Sequence, residues 1–258
     1  TGKDGKEAYE VSPNGRIPLG ESALVEPVNG RSIQTTLDSG LQWQVDQILG
    51  DRVRQADATY GMAVAMNIKN GEVLALSQYP TFDPNDYGSS NPDDLWVRAV
   101  TTPYTPGSVQ KVLTLAALIE MRRITPTTVV TVPAELRSGD QMIGGSGVPD
   151  GTKLYARGVL AKSSNTGTIL LARKADTNAL RQFYVNFGLG ARTGVGLPGE
   201  VTGTLAGENM PGYSRDGTAF GGSAVQYSAT TIPSLCISSN SICSRPATVQ
   251  RIRPIGGS

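Results

Sequence analysis

The sequence predicts a mixed α/β (α+β) domain, because amphipathic helices and a strand hairpin occur within one continuous stretch of chain. From Asp38, the run SGLQWQVDQILGDRVRQ sets Leu41, Val45, Ile48, Leu49 and Val53 at helical spacing behind a cap at Asp38 or Ser39, with charges on the other face. That pattern predicts a helix packed on a core. GMAVAMNI (61–68) and EVLALSQYP (72–80) are apolar runs joined by Lys69-Asn70-Gly71, and an Asn-Gly pair between such runs predicts a β-hairpin. After a loop rich in Pro and Asn (80–93), SVQKVLTLAALIEMRR (108–123) follows Pro106-Gly107 and ends in two arginines, which suit the negative end of a helix. A helix starting at or near Ser108 is expected. Further helical structure is expected over 157–174 and 177–187, with Gly-rich turns between.

A length of 258 residues accommodates one large domain and a smaller appendage. Residues 1–35 are polar and punctuated by Gly and Pro, with strand-like pieces such as Ala23-Leu24-Val25, and read as a linker or the tail of a preceding domain. Residues 36–220 form the main domain, and 221–258 an atypical C-terminal segment. The 23 basic and 22 acidic residues are interspersed, so the single-sign field that nucleic acid or an anionic membrane requires is missing. The chain has no histidine, which excludes a Ser-His-Asp or Cys-His hydrolase and a His-ligated zinc centre. Cys236 and Cys243 are near enough to pair in an oxidising compartment but make no metal signature. No run of about 18 apolar residues is present, so any leader or membrane anchor is expected outside the sequence given.

Without an imidazole, covalent catalysis needs another base, and the segment TPYTPGSVQKVLT offers one. Ser108 and Lys111 stand three positions apart at a helix start, where side chains share a face. A serine hydroxyl is a weak nucleophile until its proton is removed, and a lysine removes it only if burial or a neighbouring cation lowers its pKa. The helix N-terminus adds N–H groups and partial positive charge that favour the oxyanion formed on attack. The same tetrapeptide also fits a plain helix start, with Ser108 as cap and Lys111 solvated. Ser163 and Asn165 in AKSSNTG (161–167) likewise fit either a cap or a site. Lys162 beside them points elsewhere and reads as a surface residue.

Several segments in order carry a resemblance. Arg98-Ala99-Val100 leading to Pro106-Gly107-Ser108-Val109-Gln110-Lys111 resembles the nucleophile segment of class B penicillin-binding proteins. Ser163-Ser164-Asn165 is similar to that family's second box. Phe187-Gly188-Leu189-Gly190, Thr193-Gly194-Val195 and Leu197-Pro198-Gly199-Glu200 resemble a further hallmark, and Gly15-Arg16-Ile17-Pro18, Thr36-Leu37-Asp38 with Leu41-Gln42, and 71–86 also match. The resemblance covers roughly residues 8–220. It implies the penicillin-recognising fold, a mixed, mainly antiparallel sheet with a helical subregion and the site between them. It also implies a serine D,D-transpeptidase that needs no cofactor or metal, acts on peptidoglycan stem peptides ending in D-Ala-D-Ala, and is acylated by β-lactam antibiotics. Ser108 would be the nucleophile and Lys111 its base. Ser163 would relay a proton to the leaving group, and Asn165 would hold both the substrate backbone and Lys111. The implied place is the extracytoplasmic face of the bacterial membrane, with cell-wall synthesis or division proteins as partners.

The resemblance breaks at one box and at the tail. The family's Lys-Thr/Ser-Gly strand has no counterpart, since Arg192-Thr193-Gly194 belongs to the Gly-rich hallmark and Lys69-Asn70-Gly71 to the hairpin. Beyond about Phe220 the sequence departs from the family, and a sheet lacking its later strands would leave an edge unpaired. A catalytically inactive scaffold of the same fold therefore stays open, as does a β-lactamase or β-lactam sensor.

Overall fold

The computed structural model describes residues 2–229 apart from 10, 14, 17–21, 145, 146 and 223. Cys236, Cys243 and most of the segment 221–258 thus lie outside the described residues. The chain divides into two compact units between Thr36 and Leu37. In the first, β1 (Lys6–Tyr9), β2 (Val11–Ser12), β3 (Gly15–Arg16) and β4 (Ser22–Val25) form antiparallel pairs, β1 with β4 and β2 with β3. Every described side chain of this unit is exposed.

The second unit opens with α1 (Ser39–Gln55), whose Asp38 cap accepts the N–H of Leu41 at 2.9 Å. The helix lies on the hairpin of β5 (Gly61–Met66) and β6 (Val73–Tyr79), paired from Gly61↔Tyr79 to Ala65↔Ala75 with a bulge before Met66. Contact is close. A Cβ at Gly61 would stand 2.5 Å from Val53 Cγ2, so a larger residue there would lift the helix off the strand. Gln42 fixes the docking: its Nε2 donates to Leu76 O (3.1 Å) while Leu76 N–H donates to its Oε1 (2.8 Å). Asp46 accepts from Gln42 and from Ser77. Helical spacing placed Ile48 toward the core, yet it is 63% exposed, because these polar contacts at 42 and 46 rotate the helix and turn Ile48 outward.

Next come α2 (Arg98–Thr101) and, after a 3-10 turn at Gly107–Val109, α3 (Gln110–Glu120). The α-helix therefore begins two residues after Ser108, since Gly107 with φ +63° imposes a tighter first turn. Four short strands follow, β7 (Val129–Val132), β8 (Glu135–Ser138), β9 (Gln141–Gly144) and β10 (Thr152–Tyr155), with β7 paired to β10 and β8 to β9, both antiparallel. The helical stretch expected over 157–174 is two helices, α4 (Ala156–Ala161) and α5 (Asn165–Ala172). Ser163 at φ +52° breaks it, and the Ser164 hydroxyl restarts it by accepting Gly167 N–H at 3.1 Å. Then come α6 (Thr177–Asn186), β11 (Thr204–Leu205), α7 (Gly212–Phe220) and β12 (Val225–Gln226), with β11 and β12 antiparallel.

α3 and α5 are the centre of this unit. Leu115 and Leu118 of α3 and Leu171 of α5 pack with Val132 and Val159, while Ala117 and Ala172 face a second cluster around Leu180, Tyr184 and Tyr227. Each fully buried leucine contributes about 2 kcal/mol from area removed from water. Because α5 is buried nearly all round, the turn that precedes it has a rigid support. The α/β class expected from the sequence is what the fold shows: helices and antiparallel strands, with each described sheet two-stranded.

Candidate active site

Ser108 leaves the 3-10 turn at the head of α3 on an exposed position, and Lys111 one turn later is 1% exposed beneath it. Lys111 Nζ donates to Ser108 Oγ at 3.0 Å, to Ser163 Oγ at 2.9 Å and to the Ser163 carbonyl at 2.6 Å. Ser163 Oγ donates to Ser108 Oγ at 2.8 Å, closing a three-membered polar ring. The left-handed turn at Ser163 makes this possible, because it aims both the carbonyl and the hydroxyl of one residue at the amine. Three contacts use the three donors of a protonated lysine. Burial pushes the Lys111 amine below its ordinary pKa of 10.5, and among the described residues no carboxylate pairs with it to restore the charge. Loss of one proton leaves a lone pair within reach of either hydroxyl.

Of the four residues singled out from the sequence, the fold brings Ser108, Lys111 and Ser163 into mutual hydrogen bonding. Asn165 starts α5 beside them, but its Nδ2 donates weakly to Gly144 O at 3.4 Å on β9. The expected Asn165–Lys111 bond is not made, because the Ser163 carbonyl occupies the third donor of the amine. Lys162 is exposed, as expected of a surface residue. Arg192-Thr193-Gly194 lies in a loop, where Glu200 accepts Thr193 N–H at 2.6 Å, Thr193 Oγ1 at 2.5 Å and Gly194 N–H at 3.2 Å.

Sequence reading missed the supports. The backbone of Gly107 bonds to Gly221 O at 3.0 Å at the end of α7. Asp216 of α7, 1% exposed, accepts Ser138 Oγ (2.8 Å), Arg173 Nη2 (2.5 Å) and Arg215 Nη2 (2.9 Å), tying the β8–β9 hairpin to α5. Burial pushes this carboxyl up, but the bonds from Arg173, Ser138 and Arg215 outweigh burial and hold it below the usual carboxylate range. The only signal for such a clamp was an Arg-Asp pair inside a Gly-containing segment. That pattern is too common to read.

The model of the penicillin binding protein transpeptidase domain matches residues 61–234. The chain is 35% identical over 206 residues to penicillin-binding protein PbpB of Mycolicibacterium smegmatis, covering 79% of this chain and 32% of that protein. It is 30% identical over 205 residues to peptidoglycan D,D-transpeptidase FtsI of Buchnera aphidicola, covering 80% and 35%. The crystal structure of penicillin binding protein 3 from Mycobacterium tuberculosis complexed with ampicillin superposes with a TM-score of 0.75 at 30% identity, covering 82% of this chain and 47% of that one. The chain thus spans about a third of the length of these curated relatives.

Proposed function

Because the chain belongs to the penicillin-binding protein transpeptidase family, with relatives of the class B type, we propose that it serves serine D,D-transpeptidation of peptidoglycan. Its domain for this chemistry is 36–220, and the step is acyl transfer. Ser108 Oγ attacks the carbonyl carbon of the penultimate D-Ala of a stem peptide, and its proton passes to Lys111 Nζ, directly or through the Ser163 hydroxyl. Charge on the tetrahedral oxygen is eased by the N–H groups and dipole at the head of the Ser108 helix. Breaking the C–N bond releases D-Ala, whose nitrogen takes a proton from Ser163 while Lys111 reprotonates that hydroxyl. An amine of a second stem then attacks the Ser108 ester, forming the cross-link and freeing the serine. Asn165, beside the ring, holds the donor peptide's backbone through its amide.

The single observation that carries this reading is the contact of one buried lysine, with no carboxylate paired to it among the described residues, with two hydroxyls at 3.0 and 2.9 Å. A strained β-lactam amide would enter as the donor does and remain on Ser108. The reaction belongs on the extracytoplasmic face of the bacterial membrane, where its substrate lies, alongside cell-wall synthesis or division proteins. A second reading, a scaffold of the same fold that binds without reacting, predicts no covalent adduct. Labelled penicillin followed by mass spectrometry decides between them. The transpeptidase reading expects one adduct, mapped to Ser108 and absent from Ser108→Ala, and is overturned by an unlabelled parent chain. Rapid turnover of the drug would instead favour a β-lactamase.

A further inference from the structure

The nucleophile is held from behind by the end of another helix. A helix leaves its last carbonyls without partners of its own. At the end of α7 two such carbonyls are taken by the Ser108 segment: Gly107 N–H donates to Gly221 O at 3.0 Å, and Thr114 Oγ1 donates to Ala219 O at 2.7 Å. These bonds flank Ser108, one residue before it and six residues after it. The helix itself ends on Gly221, at φ +83°, with Gly221 N–H bonded to Thr218 O and Gly222 N–H to Gly217 O, the turn that a left-handed glycine allows.

There is no slack at this junction. A Cβ at Gly221 would lie 1.8 Å from Gly107 O, 2.6 Å from Gly107 C and 2.9 Å from the buried Gln110 Cβ. Gly107, by contrast, has nothing within 4 Å of its own Cβ position, so the crowding comes from Gly221. The peptide that would be displaced is the one joined to Ser108.

We infer that Gly221 is a positioning residue, whose bare α-carbon lets the last turn of α7 set the reach from Ser108 Oγ to Lys111 and Ser163. This rests on Ser108 being the nucleophile. Any side chain at 221 must push the Gly107 peptide away, and with it both bonds at Ser108 Oγ, the 3.0 Å bond from Lys111 and the 2.8 Å bond from Ser163. A displacement of about 1 Å at a reacting atom costs about 10²-fold in rate.

The test compares Gly221→Ala with Gly203→Ala in the full chain. Gly203 also has a left-handed φ, +72°, and its Cβ would meet Gln226 O at 2.2 Å, but it makes no hydrogen bond to residues 107–111. Both variants should lose thermal stability. Only Gly221→Ala should slow acylation by labelled penicillin, by about 10²-fold well below both melting points, in the rate of the covalent step rather than in initial binding. Hydrogen exchange at the Gly107 amide should lose its protection in Gly221→Ala and keep it in Gly203→Ala. Thr114→Val, which removes the other tie without backbone strain, should slow the same covalent step and serves if Gly221→Ala does not fold. Parent-like acylation in Gly221→Ala, or in Thr114→Val where Gly221→Ala does not fold, overturns the inference, as does an equal loss in Gly203→Ala. A parent chain that is never acylated defeats the transpeptidase reading instead, and exchange at Gly107 then judges the positioning separately.

Discussion

At the scale of single residues, the charge on Lys111 governs both reactivity and stability. Its folded pKa lies below the unfolded one through burial, so between the two values the unfolded chain binds the extra proton. Stability from this group therefore rises with pH through that window, the reverse of a lysine that gains a partner. Acylation should rise with pH to a plateau whose midpoint lies below 10.5, measured as the rate with labelled penicillin between neutral and strongly alkaline pH. A midpoint at or above 10.5 would count against Lys111 as base. Lys111→Met, close in volume, should cut acylation by about 10²- to 10⁴-fold while the chain stays folded. Next to it, Gln110 is fully buried, and its amide makes no well-formed hydrogen bond, meeting the Tyr184 hydroxyl only loosely. Gln110→Met should stabilise by about 1 kcal/mol in denaturant unfolding, since an unmet buried amide costs about 1–3 kcal/mol. Ser108 and Lys111 were legible because a helix fixes what three residues of spacing means. Ser163 stands 52 residues from Lys111, and no spacing rule spans a turn whose geometry depends on one left-handed serine.

At the scale of elements, legibility followed local signals. The hairpin was readable from Asn70-Gly71 and α1 from the Asp38 cap, because each records its structure in adjacent residues. The strands β7 to β10 were not: burial alternates along β7, β8 and β10, but four residues each are too few to count a period from the sequence. Nor was α7, whose sequence GYSRDGTAF carries two glycines and no side-chain cap. Its helicity is imposed from outside by Asp216 and its two arginines. Asp216→Ala would leave Arg173 and Arg215 without their anion and should cost about 3–5 kcal/mol, read from the melting transition. The native pKa of Asp216 is depressed, so its contribution is present above the ordinary carboxylate range and disappears as pH falls through the native value. The parent should thus lose stability on acidification more steeply than Asp216→Asn, and parallel acid titrations of the two would contradict the clamp.

At the scale of the molecule, the two units differ in kind. Since no described side chain before Leu37 is buried, deleting residues 1–36 should leave the remaining unit's melting temperature within a few degrees of the parent's, about the shift of 1 kcal/mol in a domain this size. A collapse of the fold on deletion would show that the short strands matter more than their exposure implies. Within the larger unit, α1 touches the hairpin through more than apolar packing. The backbone N–H of Asp38 donates to Leu74 O at 2.9 Å, and the Gln42 amide satisfies both main-chain groups of Leu76. A side chain here impersonates a peptide unit, so along Leu74–Leu76 the ribbon's flank is already sealed against newcomers. Accretion of further chain onto these two strands consequently has a sense: it proceeds from the β5 rim, and a glutamine decides which way the layer can widen.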